Sequence, residues 1–262
     1  MPAVHPAAAT GFAQAAATYA NGRPDYPPGL EDWLRNTIAL GPGKTVLDLG
    51  AGTGKFVPVL RSTGATLIAV EPVAAMRAQL AAAHPDVALY AGTAQAIPLP
   101  DASVDAVTCA QAFHWFATDA ALAEIARVLK PGGVLALVWN VRDTRHDWVL
   151  RLSEIIDAHE DDAPRYRSGA WRKRFPNPAF SELPEQCWPY THKGAAETVI
   201  VNRSLSISFI AALPAAARAT VANDIRALIA ATPELARDPV SVPYITRGFT
   251  FQKPFASDRP SA

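Results

Sequence analysis

Residues 46–56, VLDLGAGTGKF, decide the fold, because they join an apolar strand to a glycine-rich loop and the start of a helical pattern. The apolar residues end at Leu49, and glycines follow at Gly50, Gly52 and Gly54. Glycine lets the backbone take positive φ angles and approach a ligand closely. A helix that starts after such a loop directs its first N–H groups at the same place. The stretch therefore predicts a strand–loop–helix unit that binds a ligand at its loop.

The spacing within this loop distinguishes three kinds of ligand. A phosphate-binding loop needs a glycine at the position of Leu49 and a Ser or Thr at the position of Phe56, and this sequence has neither. A dinucleotide site needs a third glycine where Lys55 stands. The remaining class is an adenosine joined to an amino acid, without pyrophosphate. Its pattern begins with an acid in the strand, here Asp48, and continues as D-x-G-x-G-x-G, which this sequence matches at every position.

A second acid, Glu71, directly follows the next apolar run, TLIAV. It lies 23 residues after Asp48. A carboxylate at the end of the second strand can accept the protons of both hydroxyls of a ribose. A solvated surface glutamate would not explain an acid directly after an apolar run, so we predict that Glu71 contacts the ribose of the ligand.

Around this loop, short apolar runs alternate with helical patterns. The runs are rich in leucine and β-branched residues, as buried parallel strands are, and they cover residues 45–49, 66–70, 87–90, 104–109 and 133–139. Residues 119–129 carry apolar side chains at i, i+3, i+4 and i+7, which predicts an amphipathic helix. Strand–helix–strand repetition predicts βαβ units and a doubly wound α/β sheet.

The flanking regions have a different character. Residues 1–40 form a predicted helical lead-in, which the stretch GRPDYPP at residues 22–28 interrupts. Residues 141–180 are polar, charged and aromatic, and residues 214–232 return to a helical pattern. The stretch VSVPYITRGFTFQ alternates as a final strand, with Gly248 as a candidate bulge.

The composition of the 262-residue chain argues against several function classes. Lys plus Arg and Asp plus Glu both number 24, so the zero net charge gives no reason to expect a nucleic-acid or membrane partner. No apolar run approaches the roughly 20 residues of a transmembrane helix, and the N-terminus lacks a basic signal-peptide start. The two distant cysteines fit a buried thiol at Cys109 and a reducing cytoplasm. The histidines are scattered, so no metal site is expected.

Together these motifs resemble those of the class I S-adenosylmethionine-dependent methyltransferases over residues 40–140. The resemblance rests on four stretches: VLDLGAGTGKF, AVEP, AGTAQAIPLPDASVDAV and ARVLKPGGVLALV. Two more stretches, ATYANGRPDYP at 17–27 and AQAFHWF at 110–116, resemble a small-molecule subgroup similar to trans-aconitate methyltransferase. The resemblance implies a Rossmann-like α/β fold with a seven-stranded, mostly parallel sheet whose last strand is antiparallel.

The resemblance also implies a function, which is transfer of a methyl group from S-adenosylmethionine to a small-molecule acceptor in the cytoplasm. Residues 1–40 would form a lid, residues 41–262 the methyltransferase domain, and residues 141–180 an insertion over the active site. The alternative is a non-catalytic S-adenosylmethionine-binding partner or regulatory protein of the same fold. The complete glycine loop favours the enzyme. The oligomeric state and the acceptor are left open.

The expected site residues follow from the resemblance position by position. Gly50, Ala51 and Gly52 would lie against the amino-acid part of the cofactor. Glu71 would hold the ribose, and the loop around Thr93 would edge the adenine. Many family members carry, at the position of Thr93, an acid that pairs with the amino group of the adenine. The side chain of Thr93 can accept a hydrogen bond only through its hydroxyl. The complete set of expected cofactor residues is Arg23, Asp48, Gly50, Ala51, Gly52, Glu71, Thr93, Ala94, Ala110 and Gln111.

One residue, His114, is the candidate for acid–base chemistry. Methyl transfer needs a general base only when the acceptor is a neutral hydroxyl, amine or carbon acid. His114 follows the fourth predicted strand, where open α/β sheets bind ligands, and its imidazole normally titrates near neutrality. The alternative is a histidine packed between Phe113 and Trp115 with its nitrogens bonded to the backbone.

Basic and aromatic residues also cluster within residues 165–174. Three interpretations are open for this cluster: a solvated, self-paired helix face, an anion-binding substrate site, or a nucleic-acid surface. The acidic stretch at residues 159–162 lies just upstream and can neutralise the basic residues locally.

Overall fold

Seven strands form one sheet in a computed structural model that describes residues 23–160 and 164–256. The strands are β1 Thr45–Leu49, β2 Thr66–Val70, β3 Ala88–Tyr90, β4 Val104–Ala110, β5 Leu129–Arg142, β6 Ser181–Gly194 and β7 Val240–Gln252. Their spatial order is β3-β2-β1-β4-β5-β7-β6. The first five strands pair in parallel, β7 runs antiparallel to β5, and β6 runs antiparallel to β7. The predicted Rossmann-like α/β sheet with an antiparallel last strand is confirmed.

The strand order reverses direction between β1 and β4. The chain moves outward from β1 to β2 and β3, and then returns to place β4 on the other side of β1. Asp48 of β1 pairs in register with Thr108 of β4. The carboxyl ends of these two strands therefore lie side by side at the switch point, which is where open α/β sheets bind ligands.

Helices cover both faces of the sheet and its carboxyl end. The α-helices are α1 Gly29–Asn36, α2 Val57–Ser62, α3 Ala74–Ala83, α4 Asp119–Val128, α5 Asp147–Asp157, α6 Arg203–Leu205, α7 Ser208–Ala211 and α8 Ala215–Ala230. Shorter 3₁₀ turns lie at Phe113–Trp115, Ala170–Arg174 and Pro233–Leu235, and a π-helical turn lies at Glu197–Asn202. The predicted helix at 119–129 is α4, whose first turn is capped because Thr118 Oγ1 accepts the N–H of Ala121 at 3.2 Å.

The alternation of side chains along the strands divides the core into two layers. On one face, Leu47 of β1 and Leu137 of β5 pack in a cluster with Ile125 of α4. On the other face, Val46 and Val138 pack in a cluster with buried residues of α1 and α2. Both faces of the central strands are therefore buried, which explains why their sequences are continuous apolar runs.

A third cluster lies between the helices that follow β5 and β6. Leu152 of α5 and Ile225 of α8 are buried in it, together with Ile200 and with Tyr244 of β7. The buried strand residues of this cluster come from the first half of β7, so the helical layer packs against that part of the sheet.

Two details differ from the sequence-based expectation. The fifth strand was predicted at 133–139 but runs from Leu129 to Arg142, with a pairing irregularity at the Pro-Gly-Gly segment. Gly248 pairs in register with Val138 of β5, and the pairing irregularity beside it lies in β6 between Leu183 and Gln186, so the bulge is in the partner strand and not at Gly248. An added Cβ at Gly248 would lie 3.0 Å from the Trp188 ring, so close aromatic packing explains the glycine.

Three expectations from the sequence concern membrane-spanning helices, metal ions and the cysteine at position 109. No helix within the described ranges is long and apolar enough to cross a membrane. The same residues contain no group of three or more His, Cys, Asp and Glu side chains that could hold a metal ion. Cys109 is buried as expected, and burial raises the pKa of its thiol well above the usual range. Most of the predicted lead-in (residues 1–22) and the acidic pair Asp161 and Asp162 lie outside the described residues.

Candidate active site

A cavity of about 150 Å³ lies at the carboxyl ends of β1, β2 and β4, and we call it the glycine-loop cavity. It brings together most of the residues that the sequence assigned to a cofactor. Those that line it are Arg23, Gly50, Ala51, Gly52, Glu71, Thr93, Ala94, Ala110 and Gln111. Pro72, Met76, Trp115 and Phe116 add apolar walls.

The glycine loop is held open toward this cavity by its backbone. The N–H of Gly50 donates to the carbonyl of Val70 at 2.8 Å, which ties the loop to the end of β2. Gly50 and Gly52 have φ angles of +72° and +58°, in the left-handed region that glycine adopts at little cost. An added Cβ on Gly52 would meet only the sulfur of Met76 within 4 Å, at 3.5 Å. The space in front of Gly52 is therefore open for a ligand.

Glu71 presents an oriented carboxylate beside the loop. Its Oε2 accepts the N–H of Gly52 at 2.9 Å, and its Oε1 accepts the N–H of Val73 at 2.8 Å. Each carboxylate oxygen has a second acceptor position. Burial raises the pKa of Glu71, and these two backbone N–H bonds act in the opposite direction. The side chain can therefore accept a pair of ligand hydroxyls without moving.

Asp48 occupies a different place from the other expected residues. It is buried beneath the loop and does not line the glycine-loop cavity. Its Oδ1 accepts the hydroxyl of Thr108 at 3.3 Å, and its Oδ2 has no hydrogen-bond partner within residues 23–160 and 164–256. Burial, with a smaller contribution from nearby Glu71, raises the pKa of Asp48 to about 7.

The described part of the lead-in lies against the same site. Asp25 forms an ion pair with Lys55 of the glycine loop, and its carbonyl accepts the side-chain N–H of Asn140 at 3.0 Å. The Tyr26 ring packs edge-on against Phe56 with a centroid separation of 4.8 Å. Residues 23–28 are therefore fixed beside the glycine-loop cavity, while residues 1–22 lie outside the description.

His114 lies on the 3₁₀ turn after β4 and lines a second cavity instead of the first. Its Nδ1 accepts the indole N–H of Trp139 at 3.1 Å. Burial lowers the pKa of His114 to about 3, with further contributions from Arg165 and Arg23. The imidazole is therefore neutral near pH 7, and its proton is on Nε2. In this tautomer Nε2 donates a hydrogen bond and does not accept one.

The second cavity has a volume of about 320 Å³ and is rich in arginine, so we call it the arginine cavity. It adjoins the glycine-loop cavity, because both share Arg23, Gln111 and Trp115. Its wall comes from the ends of β5 and β7, from α5 and residues 165–167, and from residues 203–209. Its arginines are Arg23, Arg142, Arg165, Arg167 and Arg203.

Three residues of this cavity were not predicted from the sequence: Arg142, Arg203 and Tyr244. They come from β5, α6 and β7, and no local motif links them. One signal was present, because Arg142 is a charged residue at the end of a long apolar strand. A charge in that position emerges at the carboxyl edge of the sheet, where ligands bind.

The basic cluster at residues 165–174 separates into two groups. Arg172 pairs with Glu182, and Arg174 lies 3.4 Å from a carboxylate oxygen of Asp119, so both are self-paired at the surface. Arg165 and Arg167 line the arginine cavity. Trp171 is buried, with its ring centroid 4.6 Å from that of Trp139, and so does not offer a surface for stacking bases.

Comparison with known proteins shows similarity to methyltransferases along most of the chain. Residues 47–137 match the family described as methyltransferase domain. An uncharacterized methyltransferase-like protein of Schizosaccharomyces pombe is 38% identical over 239 residues, which cover 90% of this chain and 93% of that protein. An uncharacterized methyltransferase of Mycobacterium tuberculosis is 40% identical over 238 residues, which cover 90% of this chain and 92% of that protein.

Solved structures share the fold. A protein of Anaeromyxobacter dehalogenans proposed to be a type II methyltransferase superposes with a TM-score of 0.59 at 26% identity, over 89% of this chain and 97% of that one. The cyclase SpnF superposes with a TM-score of 0.58 at 17% identity, over 95% and 96%. The near-complete match to relatives named as methyltransferases supports an enzyme over a non-catalytic partner. With its sheet order and its complete glycine loop, the chain belongs to the class I S-adenosylmethionine-dependent methyltransferases.

Proposed function

We propose that this protein transfers the methyl group of S-adenosylmethionine, bound in the glycine-loop cavity, to a small molecule bound in the arginine cavity. The observation that carries the proposal is that the two cavities adjoin at Arg23, Gln111 and Trp115. A donor in one cavity and an acceptor in the other would meet at these residues. Such an arrangement converts a reaction between two solutes into a reaction between aligned neighbours.

The donor side fits S-adenosylmethionine by the chemistry of its residues. Glu71 offers two anchored acceptor oxygens for the ribose hydroxyls, and the open space before Gly52 accommodates the amino-acid part. Thr93 and Ala94 would edge the adenine, and Arg23 would pair with the carboxylate of the methionine part. When bound, S-adenosylmethionine supplies an activated methyl group on a sulfonium whose leaving group is neutral. Asp48 lies beneath the glycine loop and would not contact the cofactor directly.

At the junction, Gln111 is held in an unusual backbone conformation. Its φ angle is +58°, and its N–H donates to the carbonyl of Val138 at 2.8 Å. Non-glycine residues rarely adopt this region, and such strain often occurs at functional sites. The hydrogen bond to β5 keeps the Gln111 side chain between the two cavities. We assign it to alignment of the donor and the acceptor, with Ala110 as its neighbour.

His114 would position the acceptor instead of removing a proton. Its Nδ1 already accepts the Trp139 N–H, so Nε2 carries the proton and would act as a donor toward a molecule in the arginine cavity, which His114 lines. An acceptor that enters already ionised has no proton to lose, and it needs only orientation. A histidine that orients the acceptor without removing a proton fits a site in which alignment provides most of the rate enhancement.

The proposal is tested by two measurements on the purified protein. Calorimetric titration should show that S-adenosylhomocysteine binds and that NADH does not. The protein should then be incubated with radiolabelled S-adenosylmethionine and small carboxylic acids, phenols and amines. We expect the label in a small product, whereas label found only in protein or nucleic acid would contradict a small-molecule acceptor.

A further inference from the structure

We propose that the arginine cavity binds an oxyanion of the methyl acceptor through Arg142, Arg165 and Arg203. The acceptor would therefore be a small organic anion, either a carboxylate or a phosphate. The identification of the bound anion with the methyl acceptor rests on the proposed function. The anion site itself is argued from the described residues alone. Arginine is suited to this role because its planar guanidinium binds carboxylate and phosphate through paired N–H bonds.

Part of the Arg203 guanidinium lacks a hydrogen-bond partner. Its Nε and Nη1 atoms are buried, and no residue in the described ranges 23–160 and 164–256 accepts a hydrogen bond from them. A buried N–H without an acceptor is costly, more so on a charged group. The side chain nevertheless lines the cavity wall. An oxyanion in the cavity would supply the missing acceptor once the guanidinium turns its buried N–H groups toward it.

Arg142 lies among like charges. It ends β5 at the base of the cavity, paired in register with Tyr244 of β7. Burial and the nearby charges of Arg203 and Arg165 lower its pKa to about 10. The guanidinium is thus still charged near neutral pH. Three converging cations repel one another, and a bound anion would offset that repulsion.

The carboxylates of the cavity do not balance these cations. Arg165 donates to Glu160 at 3.1 Å and to Asp157 at 3.4 Å, and Asp157 also pairs with Arg167. Among the described residues that line the cavity, the acidic ones are Asp157 and Glu154. The cavity therefore keeps a positive excess, which resides mainly at Arg142 and Arg203.

A neutral hydrogen-bond donor and an aromatic ring also line the arginine cavity. His114, whose Nε2 carries the proton, lines the same cavity, and the Arg165 guanidinium lies over the Phe209 ring at 4.8 Å from its centroid. A hydrogen-bond donor without charge helps to orient an oxyanion while adding no further repulsion. The cavity thus combines charge, fixed geometry and an apolar wall, as small-molecule sites do.

The anion site is tested by titrating the protein with three small probes at constant ionic strength. Succinate and inorganic phosphate are the anions, and succinamide is a neutral analogue of succinate. The titrations are made both with and without S-adenosylhomocysteine, so the result does not depend on cofactor binding. We expect at least one anion to bind and succinamide not to bind. Binding of succinate alone identifies a carboxylate acceptor, and binding of phosphate alone identifies a phosphorylated one.

Variants assign the site to the named residues. Arg203→Gln and Arg142→Gln should each weaken anion binding at least about tenfold, which is about 1.4 kcal/mol. Arg203→Lys keeps the charge and should retain part of the binding. The matched control Arg226→Gln removes an arginine that pairs with Glu197 away from the cavity, and it should bind like the wild type. Affinity for S-adenosylhomocysteine should stay within twofold in all four variants.

The two proposals fail in different ways. Equal binding of succinamide, no binding of either anion, or unchanged anion binding by Arg203→Gln would each overturn the anion site. Failure of the wild type to bind S-adenosylhomocysteine would instead overturn the proposed function. Arg203→Gln should fold, because it removes an unsatisfied buried group, and a melting temperature no lower than that of the wild type is expected.

Discussion

The indole N–H of Trp139 donates a hydrogen bond to Nδ1 of His114 at 3.1 Å, and this bond sets the chemical character of the histidine. A neutral imidazole has one donor and one acceptor nitrogen, so Nε2 must carry the proton. The imidazole that lines the arginine cavity is therefore a neutral donor. In the proposed function, His114 is therefore a positioning group, although the sequence suggested a general base.

The pH profile of the reaction tests this assignment. Because the pKa of His114 is lowered to about 3, kcat should show no acidic limb from His114 above pH 5. His114→Ala should raise KM by about 2- to 10-fold, the range for one ordinary hydrogen bond, with a smaller change in kcat. His114→Gln keeps a side-chain donor and should be the milder variant. An acidic limb near pH 6 that disappears in His114→Ala would instead identify a general base.

Removal of the Glu71 carboxylate should weaken cofactor binding. We expect Glu71→Ala to cost roughly 1.5–3 kcal/mol, or about 10- to 150-fold in the Kd for S-adenosylhomocysteine, as for hydrogen bonds to a charged group. The variant should also unfold more easily, because the N–H groups of Gly52 and Val73 lose their acceptor. Glu71→Gln retains one carbonyl oxygen and should lose less. Calorimetry and urea unfolding measure the two effects, and unchanged affinity in Glu71→Ala would show that the residue is only structural.

Two glycines of the same loop should respond differently to alanine. An alanine at Gly52 would place its Cβ in the open part of the cavity, whereas one at Gly54 would lie 2.7 Å from the His84 ring. Both positions have positive φ angles, so both substitutions carry roughly 1–2 kcal/mol of backbone strain. Gly54→Ala should lose more stability because of the added clash.

The affinity measurement separates the two variants. Gly52→Ala should lose about tenfold or more in binding of S-adenosylhomocysteine, measured on the folded protein, and Gly54→Ala should retain most of its affinity. If both variants lost the same affinity, the loop would respond as one unit and the open space before Gly52 would have no special role.

The sequence was sufficient for the features that depend on local patterns. β1 and β2 were predicted with their observed bounds, because a buried parallel strand must be apolar on both faces. Glu71 was found for a related reason, since an acid directly after a buried strand must lie at the carboxyl edge of the sheet. The glycine loop follows from the backbone angles that only glycine adopts easily.

The arginine cavity could not be predicted in the same way. Arg142 and Arg203 are 61 residues apart in the chain, and they meet only because α6 folds back over the end of β5. Residues 141–180 were expected to lie over the active site, and residues 203–209 and Tyr244 also contribute to the wall of the arginine cavity. Such a site depends on the relative placement of helices, which no short motif encodes. The same holds for the Trp139–His114 hydrogen bond.

Asp48 leads to a prediction about stability that can be measured without substrate. Its folded-state pKa is raised to about 7 from an ordinary value of 3.8, because the carboxyl is buried and its Oδ2 has no described partner. The folded protein therefore keeps a proton that the unfolded chain releases. Its contribution to stability is complete below pH 4 and is lost as the pH rises to 7 and above.

Asp48→Asn removes this titration, because the amide resembles the protonated acid and can still bond to Thr108. The gain in unfolding free energy over the wild type should grow between pH 5 and pH 8. We expect it to reach roughly 2–4 kcal/mol, since one pKa unit corresponds to about 1.4 kcal/mol. Urea unfolding at the two pH values measures the difference, and Asp86→Asn, at an exposed surface pair with Arg61, is the control that should show no such gain. A gain that is equal at pH 5 and pH 8 would mean that Asp48 is ionised in the folded protein throughout this range.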